Sequence, residues 1–398
     1  MAKTIYSILI LSTVLSCTSN LPEIKNPKKG SLNSSMELFV TSVKKFPLDS
    51  NTAPKPQYLE IFIDSTGRRK FTFINSFDNA IYIYDYESSE YENILKFEKH
   101  GPNAVPYPTG YHIKSMDSIY IADYQTMELI LANNKSEILN KYSLIGDKDF
   151  KEFPEVLVNN CQYFPETSTP FIEMETTLLL PGFYIGIIPD PLLDKIKFMA
   201  QIEYETGKIE HNGLYPSKLY GSNFTWGDPI FTKVYPQLDI DQNRMIYSFP
   251  VSHNLYIQAL GDETYKEVYG GSNFAGTIRP LKGNPKSIPR QESIRHVIDQ
   301  DLYSALLYDK YREVYYRFLR KAVPDATVHT KIKDKPIAII VMDKNFGYLG
   351  ETVIGNSYEW NWDNSFVTEE GLNIEYLDEG DIEEVYMTFK IFEPKVIK

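Results

Sequence analysis

The chain has 398 residues, of which 42% are hydrophobic and 24% charged, a composition typical of a folded protein with one large domain or two modest ones. Its 41 Lys and Arg residues against 53 Asp and Glu residues give a net charge of −12, which argues against nucleic acid as a partner. Two cysteines exclude a disulfide framework and a cysteine-built zinc site.

The first seventeen residues predict a secretory signal. Lys3 supplies a short positive region, residues 5–15 are mostly apolar, and Ser16 precedes Cys17 where the apolar run ends. The Val-Leu-Ser-Cys ending resembles the lipobox of bacterial lipoproteins, in which the cysteine is acylated and becomes the new N-terminus. The resemblance implies a signal peptide over residues 1–16 and a lipid on Cys17. The alternative is an ordinary secretory signal that contains a cysteine.

A lipid on Cys17 makes the membrane a partner and predicts an outer-membrane, lipid-anchored location. Residues 18–21 contain no acidic run that would indicate surface export, so the sequence leaves open the periplasmic face or the cell surface. Residues 17–35 are rich in Asn, Ser, Lys and Pro and are predicted to be a flexible lipid-anchored tether. Lys25, Lys28 and Lys29 could touch anionic head groups, but a solvated linker is the better default.

Residues 36–398 are predicted to form a single β-propeller domain, because short strands recur along them. The sequence Ile-Tyr-Ile-Tyr-Asp-Tyr at 81–86 matches Ile-Tyr-Ile-Ala-Asp-Tyr at 119–124, and residues 220–224 match residues 270–274. Repeats of this size with short strands are typical of propellers. Looser copies of the strand occur at residues 183–185, 245–249, 302–307 and 372–376.

These six segments predict an all-β fold, a six-bladed β-propeller of four-stranded antiparallel blades. Residues 36–46 and 385–392 are both strand-like, so the N- and C-terminal strands are expected to meet in one blade and close the ring. The run at 299–308 is interpreted as a hairpin rather than a helix. Cys161 has no neighbouring base or cation and is expected to be a buried structural residue.

Four features resemble a known group of proteins: the lipobox ending in Cys17, the turn at residues 100–105, the strand at 117–123 and the segment at 308–318. The group consists of uncharacterised six-bladed β-propeller lipoproteins typical of Bacteroidetes-type Gram-negative bacteria, which are distantly similar to NHL-type propellers. The resemblance covers nearly the whole mature chain. It implies the propeller fold and an unknown function, and it brings no catalytic residue.

Local signatures of a metal or cofactor site are missing from the sequence. The six histidines never occur at i, i+2 or i, i+4 spacing, so no local zinc pair is visible. Asp239 and Asp241 begin like a calcium loop, but Arg244 and Pro250 stand where glycine and glutamate are needed. We therefore predict no metal and no cofactor.

The ligand-contacting residues predicted from the sequence are Tyr311, Arg312, Tyr315 and Arg317. On a strand, Tyr311, Tyr315 and Arg317 would share one face, with Arg312 on the other. Arginine offers a planar fork for carboxylate or sugar hydroxyls, and tyrosine offers a stacking surface. The competing interpretation is an arginine buried in a blade and paired with an acidic residue of the next blade. Arg312 is the expected structural residue, and Arg317 the better candidate for ligand contact.

Three functions remain open at this point. The first is a non-catalytic binding or scaffold protein of the cell envelope that holds an envelope protein or a glycan. The second is a carbohydrate-active enzyme with carboxylates gathered at the propeller channel, where a glycosidase needs a pair about 5–10 Å apart. The third is an envelope sensor or assembly factor. Converging carboxylates at the channel would favour the enzyme, and an aromatic or polar rim would favour binding.

Overall fold

A computed structural model describes residues 22–52, 56, 58–146, 156, 159–186, 188–221, 224–281, 287–377 and 385–397. The predicted signal peptide, Cys17 and the first residues of the predicted tether lie outside these ranges. The described strands form six four-stranded antiparallel sheets arranged in a ring. The chain is therefore a six-bladed β-propeller, which confirms the predicted fold.

Strand β1 (Met36–Pro47) comes first in the chain and belongs to the last blade. Blade 1 contains β2 (Leu59–Ile63), β3 (Arg69–Asn75), β4 (Ala80–Asp85) and β5 (Tyr91–Lys96). Blade 2 contains β6 (Pro108–Ser115), β7 (Ser118–Asp123), β8 (Glu128–Ala132) and β9 (Ile138–Ser143). Blade 3 contains β10 (Ile172–Glu173), β11 (Thr177–Pro181), β12 (Lys197–Glu203) and β13 (Ile209–Leu214).

Blade 4 contains β14 (Tyr235–Asp239), β15 (Arg244–Ser248), β16 (Asn254–Ala259) and β17 (Lys266–Tyr269). Blade 5 contains β18 (Leu302–Asp309), β19 (Val314–Arg320), β20 (Ile337–Asp343) and β21 (Tyr348–Gly355). Blade 6 contains β22 (Trp360–Thr368), β23 (Gly371–Tyr376), β24 (Tyr386–Val396) and β1. Helix α1 (Arg290–Asp299) precedes blade 5, and short 3₁₀ turns occur at Asp190–Leu192, Pro229–Phe231 and Ile332–Asp334.

The two chain ends close the ring, as predicted. Strand β1 pairs antiparallel with β24 from Met36 opposite Val396 to Pro47 opposite Tyr386. Strand β24 thus lies between β23 and β1 and is bonded on both edges. Aromatic side chains also pack between this blade and blade 1: the ring of Phe46 in β1 stacks on the ring of Phe71 in β3, with ring centres 3.9 Å apart. Closure makes the ends of the chain part of the core.

The first strand of each blade lies closest to the propeller axis. Strand β2 contacts β6, β14 contacts β18, and β18 contacts β22, so these strands form the inner ring. The strands of such a ring run in the same direction, which brings their first residues together at one axial end. Side chains from distant parts of the sequence meet at that end.

The matching sequence repeats do not occupy the same strand position in successive blades. The matching segments 81–86 and 119–124 fall on the third strand of blade 1 and the second strand of blade 2. They are alike because both strands are almost completely buried and both end in an aspartate turn. The strand predicted at 183–185 is wrong: Phe183 makes only an isolated bridge with Gln162, and the neighbouring strand of blade 3 is β11. The predicted hairpin at 299–308 is confirmed by β18 and the turn that follows it.

Residues 22–35, which fall within the predicted tether, lie along the propeller instead of extending away from it. Ile24 exchanges two backbone hydrogen bonds with Ile278, of 2.9 and 3.0 Å. The backbone N–H groups of Gly30 and Leu32 donate to the main-chain and side-chain oxygens of Asn273. We call these residues the strap. A polar composition concealed this docking, because the strap binds through hydrogen bonds of its backbone and of the Asn26 side chain rather than through an apolar face.

Cys161 is buried, as predicted, and burial raises its thiol pKa above the ordinary value. Within the described ranges, no helix is long and apolar enough to cross a membrane.

Candidate functional site

A tight turn at residues 166–169 closes one end of the propeller axis. The N–H of Thr169 donates to the carbonyl of Glu166 at 2.9 Å, and the three residues after Glu166 are buried. Ser168 Oγ donates to Oδ1 of Asp363 at 2.6 Å, which connects the chain leading into blade 3 with blade 6 on the opposite side of the ring. Because the turn spans the ring, it occupies the axis. We call it the axial plug.

Beside the axial plug is a cavity of about 270 Å³, which we call the channel-mouth cavity. Blades 4, 5 and 6 supply part of its wall, and connecting segments supply the rest: Tyr235 begins β14, Arg320 ends β19, and Trp362 lies in β22. The register of β22 shifts between Asn361 and Ser365, and this irregularity includes Trp362. The lining residues are Glu166, Phe183, Pro229, Ile230, Lys233, Tyr235, Arg320, Trp362 and Asp363.

Lys233 joins the two carboxylates of this cavity. Its ammonium contacts the Glu166 carboxylate and lies 3.6 Å from Oδ1 of Asp363. Burial lowers the pKa of Lys233, but Asp363 and Glu166 outweigh that effect and raise the pKa above its ordinary value. Burial raises the pKa of Glu166, which the charge of Lys233 opposes. The lysine therefore stays charged and holds both acidic groups in place.

Arg320 is the second cation of the cavity, and its side chain has no polar partner among the described residues. Its side chain is 5% exposed, and its guanidinium carbon lies 4.9 Å from the ring centre of Trp362. The buried Nε has no hydrogen-bond acceptor, and no described residue forms a side-chain hydrogen bond or ion pair with this guanidinium. Buried polar groups in proteins almost always have partners, and a guanidinium carries five N–H donors. Arg320 thus has unused capacity to bind an oxygen-bearing group.

A second polar cluster lies on the inner strands of blades 1 to 3. His112 bonds to Glu60 through Nδ1 at 2.8 Å and to Glu173 through Nε2 at 3.1 Å. Burial lowers the pKa of His112, but the two carboxylates outweigh this and raise it to about 9. The hydrogen bond from His112 is the largest cause that lowers the pKa of Glu173 to about 2. Both ring nitrogens of the His112 imidazolium therefore already have hydrogen-bond partners. Among the described residues, no cluster of three or more His, Cys, Asp or Glu is arranged to hold a metal ion.

Comparison with known proteins identifies the family. Residues 35–353 match the family described as a domain of unknown function, DUF4221. The chain belongs to this family. No curated protein matches it in sequence.

Solved structures agree with the fold. A DUF4221 member from Bacteroides vulgatus has a TM-score of 0.73 and 20% sequence identity, over 92% of this chain and 99% of that one. A protein from Bacteroides fragilis whose name describes it as exported has a TM-score of 0.55 and 12% identity, over 93% and 98% of the two chains. At these identities the similarity concerns the fold alone.

The structure of this DUF4221 protein does not bring the four sequence-predicted contact residues into one site. Tyr311 and Arg312 lie in the turn between β18 and β19 rather than on a strand, so the expected strand faces do not apply to them. Tyr311 is 48% exposed, and its contact with a ligand stays a prediction. Arg312 contacts Asp309 at 3.3 Å and Glu393 of blade 6 at 3.6 Å. These contacts connect two blades, and the structural role expected for Arg312 stays a prediction.

Tyr315 and Arg317 are buried in β19. Tyr315 donates a 3.3 Å hydrogen bond to Asp239 of blade 4. Arg317 donates to Ser248 Oγ at 3.0 Å and to the carbonyl of Gly270 at 2.9 Å, and its guanidinium carbon lies 3.9 Å from the ring centre of Tyr303. The placement of Arg317 is the reverse of the expected exposure to a ligand, because the side chain is enclosed between blades 4 and 5. Its partners are mainly carbonyls rather than the expected acidic residue.

Sequence reasoning missed the cavity residues. Arg320 is the last residue of the arginine- and aromatic-rich segment 311–320, but nothing in the sequence distinguished it from Arg317. Lys233, Glu166 and Trp362 show no common local pattern. Each comes from a different blade or connector, so only ring closure reveals that they are neighbours.

Proposed function

We propose that this protein is a lipid-anchored, non-catalytic binding protein of the cell envelope, and that its ligand binds at the channel-mouth cavity. The observation that carries the proposal is the nearly buried guanidinium of Arg320, which has no polar partner among the described residues. Cys17 carries the lipid in this proposal, as the lipobox resemblance implies. The ligand is an envelope glycan or protein that presents a carboxylate to the cavity.

A carboxylate is the group that suits Arg320 best. A guanidinium binds a carboxylate through two parallel hydrogen bonds, and such charge-assisted bonds are roughly twice as strong as neutral ones. The ring of Trp362 packs against the guanidinium and limits its movement, which lowers the entropic cost of binding. The second cation, Lys233, is already paired with two acidic groups, which leaves Arg320 as the open charge of the cavity.

The arrangement of the acidic groups supports binding over glycoside hydrolysis. Glu166 and Asp363 both contact the ammonium of Lys233, and their carboxyl groups also interact directly with each other, which helps to raise the pKa of Glu166. The two carboxyl groups are therefore too close together to leave the space that a glycosidase needs for its substrate. Glycoside hydrolysis needs one carboxyl group as acid and a second as base or nucleophile. Both groups here are engaged by the lysine, and Asp363 also accepts a hydrogen bond from Ser168.

Titration calorimetry with sodium D-glucuronate and with D-glucose tests the carboxylate requirement. We expect glucuronate to bind at least about tenfold more tightly than glucose, since only the acid satisfies the arginine. Arg320→Ala should abolish this preference. Arg68→Ala is the matched control, because Arg68 lies on an exposed turn of blade 1. Equal binding of the two sugars, or unchanged binding by Arg320→Ala, would contradict the proposal.

A further inference from the structure

The strap leaves the propeller at a defined place. Besides the backbone bridge of Ile24, Asn26 donates 2.8 and 2.9 Å hydrogen bonds to two carbonyl oxygens of the chain between blades 4 and 5. Tyr269 at the end of β17 donates back to Oδ1 of Asn26 at 2.8 Å. At the other end of the strap, the N–H of Ser35 donates to the carbonyl of Leu349 at 2.7 Å. Both ends of the strap are therefore attached to blades 4 and 5.

This attachment shortens the available link to Cys17. A polypeptide extends at most about 3.3–3.6 Å per residue. A free tether over residues 17–35 would reach roughly 60 Å, whereas the five residue-to-residue steps from Cys17 to Pro22 reach at most about 18 Å. A lipid on Cys17 would therefore hold the surface around the strap close to the membrane.

The same surface carries basic side chains. Lys25, Lys28 and Lys29 are all exposed on the strap, and Glu23 is the one acidic residue between positions 22 and 35. Glu23 is shared between Arg279 at 2.8 Å and Lys25 at 4.0 Å, so this single carboxylate leaves the positive charges of the surface in excess. The exposed ring of Phe274 lies on the chain segment beneath the strap. Basic side chains with an exposed aromatic ring are typical of surfaces that meet anionic lipid headgroups.

The negative net charge of the protein means that an anionic membrane attracts this basic surface and repels most of the others. The net charge is −12, so most orientations of the protein are repelled by an anionic membrane. Electrostatic attraction acts within a Debye length of about 8–10 Å, so only a basic surface held near the bilayer benefits from it. The strap places its lysines where the chain to Cys17 begins.

We propose that the strap surface, formed by Lys25, Lys28, Lys29 and Phe274, docks on anionic phospholipid headgroups. Docking orients the propeller so that the junction of blades 4 and 5 faces the membrane. The orientation rests on the lipid at Cys17 that the proposed function includes, but the affinity of the surface for anionic lipid does not.

Vesicle co-sedimentation tests the docking surface. The protein is the chain from residue 17 with Cys17→Ser, which carries no lipid, and the probes are vesicles of phosphatidylcholine with and without 30% phosphatidylglycerol. We expect binding only to the anionic vesicles and a decrease of that binding with added salt. The triple variant Lys25→Glu, Lys28→Glu, Lys29→Glu should bind at least about tenfold more weakly.

A matched control variant reverses the charge of three lysines on a different part of the propeller. Lys135, Lys195 and Lys208 are exposed lysines associated with blades 2 and 3, and replacing all three with glutamate should leave vesicle binding within about twofold of the parent. Equal losses in the two triple variants would show a non-specific charge effect and overturn the proposal. Failure of the parent chain to bind anionic vesicles would also overturn it. Failure to find a lipid on Cys17 would refute the anchor but leave this result unchanged, because the tested chain has none.

Discussion

Arg317 and Arg320 are three residues apart on β19 and point to opposite faces of blade 5. Arg317 enters blade 4, where Ser248 Oγ and main-chain carbonyls accept its hydrogen bonds. Arg320 faces blade 6 and rests on Trp362 without a hydrogen-bond partner among the described residues. An odd separation on a strand places two side chains on opposite faces. Two arginines with similar sequence surroundings therefore have different environments, and we propose a role in stability for Arg317 and a role in binding for Arg320.

Methionine substitutions should separate these roles. Arg317→Met leaves several buried acceptors unpaired and should lower the free energy of unfolding by about 3–5 kcal/mol. Arg320→Met removes a buried charge that has no partner in the described part of the chain, so it should raise the free energy of unfolding by about 1 kcal/mol while it abolishes glucuronate binding. Urea unfolding without ligand measures both changes. A strong destabilisation by Arg320→Met would show that this arginine is structural.

The closing blade should make the C-terminal strand indispensable. Deletion of residues 385–398 removes β24, which is hydrogen-bonded to both β23 and β1. The deletion leaves β1 without a partner and exposes the edge of β23, so we expect loss of the cooperative thermal transition rather than a small shift. Deletion of residues 397 and 398 alone is the control and should preserve the transition. A shortened protein that melts like the parent would contradict closure by β24.

Stability should depend on pH through His112 and its carboxylate partners. The folded-state pKa of His112, about 9, is above its ordinary value of 6.5, so its stabilisation is complete below pH 6.5 and is lost as the pH rises through 9. The pKa of Glu173 is lowered to about 2, so its stabilisation is present above pH 4.5 and is lost as the pH falls towards 2.

We therefore expect maximum stability between about pH 4.5 and 6.5, with a loss on the order of 2–3 kcal/mol between pH 6.5 and 9.5 from His112. Urea unfolding across this range measures the loss. His112→Gln should flatten the alkaline part of the profile, because glutamine does not titrate. An unchanged alkaline slope in His112→Gln would assign the pH dependence to other groups.

The anchor prediction concerns Cys17. Metabolic labelling with a fatty acid should tag the parent protein, and Cys17→Ser should abolish the label. Cys161 serves as the internal control, since it is buried and Cys161→Ser should leave the label in place. Label on the Cys17→Ser protein would contradict the lipoprotein interpretation. Protease treatment of intact cells then distinguishes the cell surface from the periplasmic face.

Strand patterns and turns in the sequence determined the propeller and its closure. Residues 36–46 and 385–392 alternate as strands do, and they pair in blade 6 because a ring of blades must join its ends. The buried, aspartate-ended strands β4 and β7 were recognisable for the same reason, since they depend on local burial and local turn chemistry. Their positions within the blades were not recognisable, because strand order depends on pairing between segments.

Only the tertiary structure decided where the two proposed binding surfaces lie. Ser168 and Asp363 are far apart in the sequence but bond across the axis, and Lys233 and Trp362 reach the same cavity from other blades. Ring closure brings these residues together, and no local spacing encodes it. The strap shows a second reason: its side chains are mostly polar, but backbone groups hold Ile24 against Ile278. Backbone hydrogen bonds can form with any side chain, so composition predicted a free tether where the fold provides a docked one.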